Sequence, residues 1–387
     1  PVLAMGLKGT LERLEELIWP RAAVVLLAVF MTVILADKHL SSDGEFGANM
    51  GLGLREGKFP EGTVAYMKKE GLRGNIYNDY VFGGYLIYEN PEVKVFIDGR
   101  TPTVYSSYFF WTSRLAEDYG RWKRLEEEHK IDMVLVKLES DLCSKLRDDK
   151  GWAAVSFDDI SILYLRKDKF PSQTSRSLSS LDLCSSGQKL ELPEDKDKLE
   201  KAIGELEVLT ASGSGAARPR RLLGLAYTKL GRQGYERAAD EFRKAIAINE
   251  DAFTWYDLGL ALGKDKKTDE AIAAFKKALT LDERFGEALL ALGAAYHDSG
   301  NHKEAISALT SYLDLADDKA ELLAYSALGD SYFKTGEFDK AAVYLKRAAF
   351  LTDDKKELGD LYYNIGNSFI ELAEYEEGLI WYEKALF

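Results

Sequence analysis

The sequence contains little of the material from which metal centres and redox sites are built. Its 387 residues include only 2 cysteines and 4 histidines, and the histidines are scattered along the chain. It has no GxxxxGK[ST] phosphate loop, no HExxH helix, no CxxC pair and no GxSxG elbow. We therefore assign no catalytic residue, and we expect no metal ion and no cofactor.

The sequence also has fewer basic than acidic residues. The 51 lysines and arginines are outnumbered by 64 acidic residues, which gives a net charge of -13. Because a phosphate backbone binds to a basic surface, we expect no nucleic acid partner. A hydrophobic content of 46% with 30% charged residues excludes a mostly disordered and a mostly membrane-embedded chain. The length predicts two or three domains.

One long apolar run stands near the N-terminus. Residues 22–36 read AAVVLLAVFMTVILA without a charge, and about 20 such residues span a bilayer core. This predicts a transmembrane helix over 20–37, preceded by an amphipathic juxtamembrane segment over 1–19. Basic residues before the run and acidic residues after it favour an extracytoplasmic position for everything that follows. A signal peptide and a buried soluble helix are the alternatives.

Alternating helix and strand patterns over 45–170 predict a small extracytoplasmic α/β domain with a layered sheet. The segment NDYVFGGYLIY places Asn78 or Asp79 at a helix N-cap. The segment FIDGR ends a strand with Asp98 and Arg100, at the edge where open sheets bind ligands. We treat Asp79, Asp98 and Arg100 as a candidate ligand edge. The structural alternative is a cap, a turn and an ion pair.

These two motifs also suggest a family. The NDY…GGYL pattern followed by a strand ending in DGR resembles the last span and the extracytoplasmic C-terminal domain of polytopic bacterial proteins of the GT-C glycosyltransferase type. The resemblance covers about residues 20–170. It implies a full-length enzyme that uses a lipid-linked sugar and whose catalytic acidic residue lies upstream of this chain.

A polar stretch separates this region from the rest of the chain. Residues 171–217 are rich in serine, contain one charged helical pattern, and predict a linker with one helix. Cys143 and Cys184 both fall on the extracytoplasmic side, where a disulfide between them is chemically allowed. Two unpaired thiols are the alternative.

From residue 218 the same pattern recurs. Leucine–glycine or isoleucine–glycine pairs follow one another at intervals of 35, 34, 36 and 37 residues, and alanine and aromatic residues follow each pair at similar offsets. This resembles the tetratricopeptide repeat (TPR) family, whose period is about 34 residues. The resemblance implies an all-α solenoid of about five repeats over 218–387, in which glycine and alanine let two helices cross closely. Both ends of the sequence look truncated, so we interpret it as a fragment.

The first helices of a stacked array line its concave face. TPR register places ten residues there, and their mixture of charges and tyrosines suits an extended peptide. Solvated helix faces are the alternative. The predicted positions are Arg221, Lys229, Tyr256, Lys264, His297, Asp298, Asp330, Lys334, Tyr363 and Asn367.

Together these patterns predict a multidomain protein with one transmembrane helix, a small α/β domain and a TPR solenoid. We expect a scaffold that is anchored in the cytoplasmic membrane and binds a protein or peptide outside it, with the lipid bilayer as a second partner. The alternative is the C-terminal part of a GT-C type glycosyltransferase that uses a lipid-linked sugar.

Overall fold

The computed structural model describes residues 58–98, 118–184, 192–212, 215–316 and 322–386. Glu61–Phe387 form one compact unit, and almost all of Pro1–Pro60 lies outside the described residues. The unit consists of a sheet with flanking helices, which we call the sheet unit, followed by an array of paired helices.

The sheet unit has five strands in the order β2-β1-β3-β5-β4. β1 runs parallel to β2 and β3, whereas β5 is antiparallel to both β3 and β4. The central strand β3 reads MVLVK, and its first four residues are buried, as expected for an apolar run covered on both faces. The strands are β1 (Gly74–Asn78), β2 (Val93–Val95), β3 (Met133–Lys137), β4 (Trp152–Phe157) and β5 (Ser161–Arg166).

Helices flank the sheet, and Trp122, Phe157 and Tyr164 fill its core. Ser140 begins one of these helices by accepting a hydrogen bond from the Cys143 backbone N–H, the usual N-cap arrangement. The elements are α1 (Glu61–Lys69), a short 3-10 helix (Tyr80–Phe82), α2 (Gly83–Glu89), α3 (Tyr119–Glu128), α4 (Asp141–Asp148) and α5 (Pro171–Thr174).

The array begins after α6 (Lys196–Ala211) and contains five helical pairs, which we number repeats 1 to 5. Each pair packs closely within itself and then against the next pair. The helices are α7 (Ala217–Lys229), α8 (Tyr235–Ile248), α9 (Ala252–Lys264), α10 (Thr268–Leu281), α11 (Gly286–Asp298), α12 (His302–Ala316), α13 (Leu322–Lys334), α14 (Phe338–Phe350), α15 (Lys355–Glu371) and α16 (Tyr375–Ala385).

A glycine in each first helix marks the point where the two helices of a repeat cross. A Cβ atom on Gly259 would lie 2.4 Å from the Phe275 ring, and one on Gly293 would lie 2.5 Å from Leu309. The same close approach occurs in the other repeats at Gly224, Gly329 and Gly366. The expectation that glycine permits the close crossing is confirmed, because any larger residue would separate the two helices.

The array and the sheet unit share a hydrophobic core. Leu199 and Leu206 of α6 are buried, and one continuous core extends from the strands through α6 to Ala308 in repeat 3. The Asp159 carboxylate, in the β4–β5 turn, accepts a hydrogen bond of 2.7 Å from the Arg218 backbone N–H at the start of α7. The sheet unit therefore covers the first end of the array. Two smaller clusters hold the later repeats together.

The predicted fold class requires a correction. The described residues form an all-helical array with a small sheet region on its N-terminal side. Within those residues, no helix combines the length and apolar character that crossing a bilayer requires. The predicted transmembrane helix over 20–37 is not a part of this architecture, because that segment lies outside the described residues.

Candidate functional site

The first helices of consecutive repeats contact one another, α7 with α9, α9 with α11, α11 with α13 and α13 with α15. These contacts place the five first helices side by side, and we call the surface they form the inner face. All ten residues predicted to line a groove belong to these helices. Their environments differ strongly along the array.

In repeats 1 and 2 the charged groups of the inner face pair with each other. The Arg221 guanidinium donates a hydrogen bond of 2.7 Å to the Asp257 carboxylate, and the side chains are only 19% and 9% exposed. Burial raises the pKa of the Asp257 carboxyl, and Arg221 opposes that shift. The Arg221 guanidinium also lies 5.7 Å from the Phe253 ring centroid. This pair joins two repeats internally.

Three other predicted residues lie in the same half of the array. The Lys229 ammonium donates to the Glu194 carboxylate at 2.6 Å and to the Leu192 carbonyl at 3.2 Å, which attaches the chain before α6 to repeat 1. The Tyr256 ring packs 5.1 Å from the ring of Phe285. Lys264 is exposed at the end of α9. The surface of repeats 1 and 2 is therefore largely engaged in intramolecular contacts.

Repeats 3 to 5 present a different cluster, centred on Asp330. The Asp330 carboxylate accepts a hydrogen bond from the Asn364 amide at 3.4 Å, and within the described residues it has no ion pair. Burial raises the pKa of Asp330 although His297, Lys334 and His302 act to lower it. Asp330 is thus a partly buried carboxylate with one weak partner.

Histidines from two helices border this carboxylate. The rings of His297 and His302 lie 5.8 Å apart, and His297 Nδ1 is 3.3 Å from the exposed Asp298 carboxylate. The Nδ1 atom of His302 is buried without a hydrogen-bond partner among the described residues. Burial is the main cause that lowers the pKa of His302, followed by His297 and Lys334. His302 was not predicted, because it begins a second helix and lies outside the groove register.

Aromatic side chains continue the inner face in repeat 5. Tyr363 is 56% exposed, and its ring centroid lies 5.5 Å from that of Tyr382. The Tyr382 hydroxyl donates a hydrogen bond of 2.7 Å to the Asn367 amide oxygen. A large aromatic ring that remains exposed on a first helix is suited to contact with another chain.

Family models match four of the five repeats. Models described as tetratricopeptide repeats match residues 252–285, 288–323, 322–349 and 359–386. These residues are tetratricopeptide repeats. The matched segments correspond to repeats 2 to 5, so the TPR resemblance is confirmed.

Curated relatives of the TPR array cover part of the chain. The peroxisomal targeting signal receptor of Kluyveromyces lactis is 30% identical over 122 residues, which are 31% of this chain and 22% of that protein. The receptor of Candida albicans is 31% identical over 126 residues, 32% of this chain and 21% of that protein. The TPR repeat-containing protein YpiA of Bacillus subtilis is 26% identical over 36% of this chain and 32% of that protein. The chain thus spans about a fifth to a third of the length of these relatives.

Solved structures with a similar fold include MamA from Desulfovibrio magneticus, 20% identical, with a TM-score of 0.40 over 44% of this chain and 93% of that chain. Another is YrrB, described as a TPR protein with an unusual peptide-binding site, 24% identical, with a TM-score of 0.38 over 42% of this chain and 82% of that chain. The resemblance of residues 20–170 to GT-C type proteins gains no support from these comparisons.

The predicted ligand edge of the sheet unit is built differently from the TPR inner face. The half-buried Asp79 accepts a hydrogen bond of 3.3 Å from the Val81 backbone N–H and caps the 3-10 helix, while Asp98 is buried. Arg100 lies outside the described residues. A Cβ atom on Gly83 would lie 2.0 Å from the Ile97 carbonyl oxygen, so the start of α2 packs directly on this edge.

Asn78 was predicted only as a possible helix cap, and its role at this edge was not predicted. Its amide donates to the Ile97 carbonyl at 2.7 Å and accepts from the Phe96 backbone N–H at 3.0 Å. The side chain therefore joins the ends of β1 and β2. Its position as the last residue of the buried strand β1 was the available signal.

Cys143 and Cys184 form a disulfide with a Cα–Cα distance of 5.6 Å. The bridge fastens the segment after α5 to α4, and the Tyr164 hydroxyl donates to the Cys143 carbonyl beside it at 3.1 Å. The sequence left open a disulfide or two unpaired thiols, and the structure contains the disulfide. Within the described residues, no group of three or more histidine, cysteine or acidic side chains is placed to hold a metal ion.

Proposed function

We propose that the TPR array binds an extended segment of a partner protein along its inner face, chiefly across repeats 3 to 5. The single observation that supports this proposal is the exposed Tyr363 beside a cluster of polar groups that lack strong intramolecular partners. Such a surface offers hydrogen bonds and aromatic contact area to an extended chain. Some curated relatives of the repeats are named as receptors for a targeting signal, which is consistent with recognition of a segment.

Site-specific photo-crosslinking tests this proposal. A benzoylphenylalanine is introduced at Tyr363 on the inner face or, as a matched control, at Val343 on α14, which is 51% exposed on a second helix. The partner segment crosslinked at position 363 is identified by mass spectrometry, synthesised, and titrated against the purified chain. We expect crosslinking at 363 but not at 343, and saturable binding of the synthetic segment. Equal crosslinking at both positions, or a segment that does not bind, would contradict the proposal.

We also propose an oxidising, extracytoplasmic location for the described residues. The support is the Cys143–Cys184 disulfide, since protein disulfides persist in oxidising compartments and are rare where thiol reductants are abundant. The test is alkylation of free thiols in protein taken rapidly from its native cells. We expect no modification until a reductant is added, whereas two reactive thiols in untreated protein would contradict this location.

A further inference from the structure

Two of the aspartates on first helices, Asp257 and Asp330, differ in what they contact. Asp257 in repeat 2 is paired with Arg221 of the preceding repeat. Asp330 in repeat 4 has the Asn364 amide, and no described residue forms an ion pair with it. The same type of side chain on the same scaffold is therefore ion-paired in one place and has no ion pair within the described residues in the other.

The two aspartates stand at different positions of their repeats. Asp257 lies two residues before the crossing glycine Gly259, whereas Asp330 lies one residue after Gly329. Basic groups of His297, Lys334 and His302 act to lower the pKa of Asp330, but none of them forms an ion pair with it within the described residues. Asp330 thus has no counterpart of the buried Arg221–Asp257 pair.

Lys334 does not fill that role. It stands one helical turn after Asp330, is exposed to solvent, and forms no ion pair with it within the described residues. A hydrated surface ammonium gains little from pairing, because its attraction to a carboxylate is weak in water. The partly buried carboxylate is different, since burial raises its pKa more than His297, Lys334 and His302 lower it. The group at this site that would gain most from a new ion pair is therefore the Asp330 carboxylate.

We propose that Asp330 is the subsite of the inner face for a lysine or arginine side chain of the bound segment. This inference rests on the proposed function and names the chemistry of the partner. A cation delivered to Asp330 would form charge-assisted hydrogen bonds, which are about twice as strong as neutral ones. Asn364 and His302 provide further polar atoms beside it, including the buried Nδ1 of His302. Exposed Tyr363, on the same helix as Asn364, adds aromatic surface for the neighbouring residues of the segment.

A displayed library of random extended peptides, selected against the whole chain, tests the subsite. We expect the selected peptides to share a lysine or arginine at one position. Asp330→Asn should weaken their binding by about 10- to 100-fold. Replacing the basic residue of the peptide with norleucine should weaken binding to the native chain to the same extent, and binding to Asp330→Asn very little. That non-additivity identifies a direct contact.

The matched control is Asp339→Asn, which removes the same charge from an exposed position on the second helix of the same repeat. It should leave peptide affinity unchanged, and both variants should unfold at the temperature of the native chain. Selected peptides without a common basic residue, or equal affinities for native and Asp330→Asn chains, would overturn the subsite while leaving the proposed function intact. Failure to select any peptide, together with no crosslinking at position 363, would contradict both.

Discussion

The two halves of the molecule use the same kinds of residue for different purposes. In the anchored half, Glu61–Leu281, a core that continues into repeat 3 joins the sheet unit to repeats 1 and 2, and the Arg221–Asp257 pair links these two repeats. In the open half, Gly286–Ala385, smaller clusters hold the repeats together and Asp330 lacks an ion pair within the described residues. Charge on the inner face therefore stabilises the first half and remains available for recognition in the second. The position of a charged residue within its repeat does not by itself show which of these two roles it has.

Loss of the disulfide should have the largest effect, and only on the anchored half. Replacing both Cys143 and Cys184 with serine should lower the free energy of unfolding of this half by about 4 kcal/mol, because the bridge closes a loop of 41 residues. Denaturant unfolding with and without reductant measures it. Reductant should destabilise the native chain by the same amount and leave the double variant unchanged. Equal stability of the native and double-variant chains would show that the bridge contributes nothing.

Removal of Arg221 should have the next largest effect. Arg221→Ala leaves the Asp257 carboxylate buried without its cation, which should cost about 3 kcal/mol of unfolding free energy. Arg232→Ala, at an exposed turn position of the same repeat, is the control and should change stability by less than about 0.5 kcal/mol. Asp330→Asn should likewise have little effect on stability. If Arg221→Ala and Asp330→Asn lowered the free energy of unfolding equally, the proposed difference between the two halves would be contradicted.

Alkaline pH should weaken the sheet unit through Tyr66. Burial raises the pKa of this phenol to about 12, above its ordinary value of 10.0. The neutral phenol is therefore favoured in the folded state, so its contribution is complete below pH 10 and is lost as the pH rises towards 12. The loss should reach about 2 kcal/mol. Denaturant unfolding at several pH values measures it, and Tyr66→Phe should remove this part of the dependence. An identical pH profile for the variant would contradict the assignment.

Ala373 should give the smallest effect, in the open half. It adopts a positive φ of 63° between α15 and α16, where repeats 1, 3 and 4 have glycine. Because a Cβ atom is strained in this conformation, Ala373→Gly should raise stability by about 1 kcal/mol. Lys266→Gly, at φ 65° in repeat 2, is the matched change in the anchored half. Thermal unfolding of both variants measures the gain, and a loss at position 373 would show that the turn is not strained.

The periodic part of the fold could be predicted from the sequence because its cause is local. Each crossing glycine must admit the side chain of the facing helix, so the spacing of Gly259 and Phe275 recurs in the other repeats. Phe242 follows Gly224 at a longer interval than Phe275 follows Gly259, which places additional residues in the turn of repeat 1. The membrane span predicted from the apolar run 22–36 is not part of the described architecture, because that run lies outside the described residues.

The partners of individual side chains could not be predicted. Register placed Arg221 and Asp330 on one surface, but whether a long side chain reaches the next repeat depends on packing that the repeat pattern does not encode. The bond between Asp159 and Arg218 joins residues that the sequence assigned to separate domains. The buried link made by Asn78 was not predicted, because a polar residue at the end of a strand is more often a cap or a turn residue.

Hydrogen exchange of the whole chain, with and without the segment crosslinked at position 363, locates the surface that the segment covers. We expect slower amide exchange in α13 and α15 of the open half when the segment is bound, and little change in α7, α9 and the sheet unit. Protection confined to the second helices α14 and α16, or located in the sheet unit, would contradict binding at the inner face.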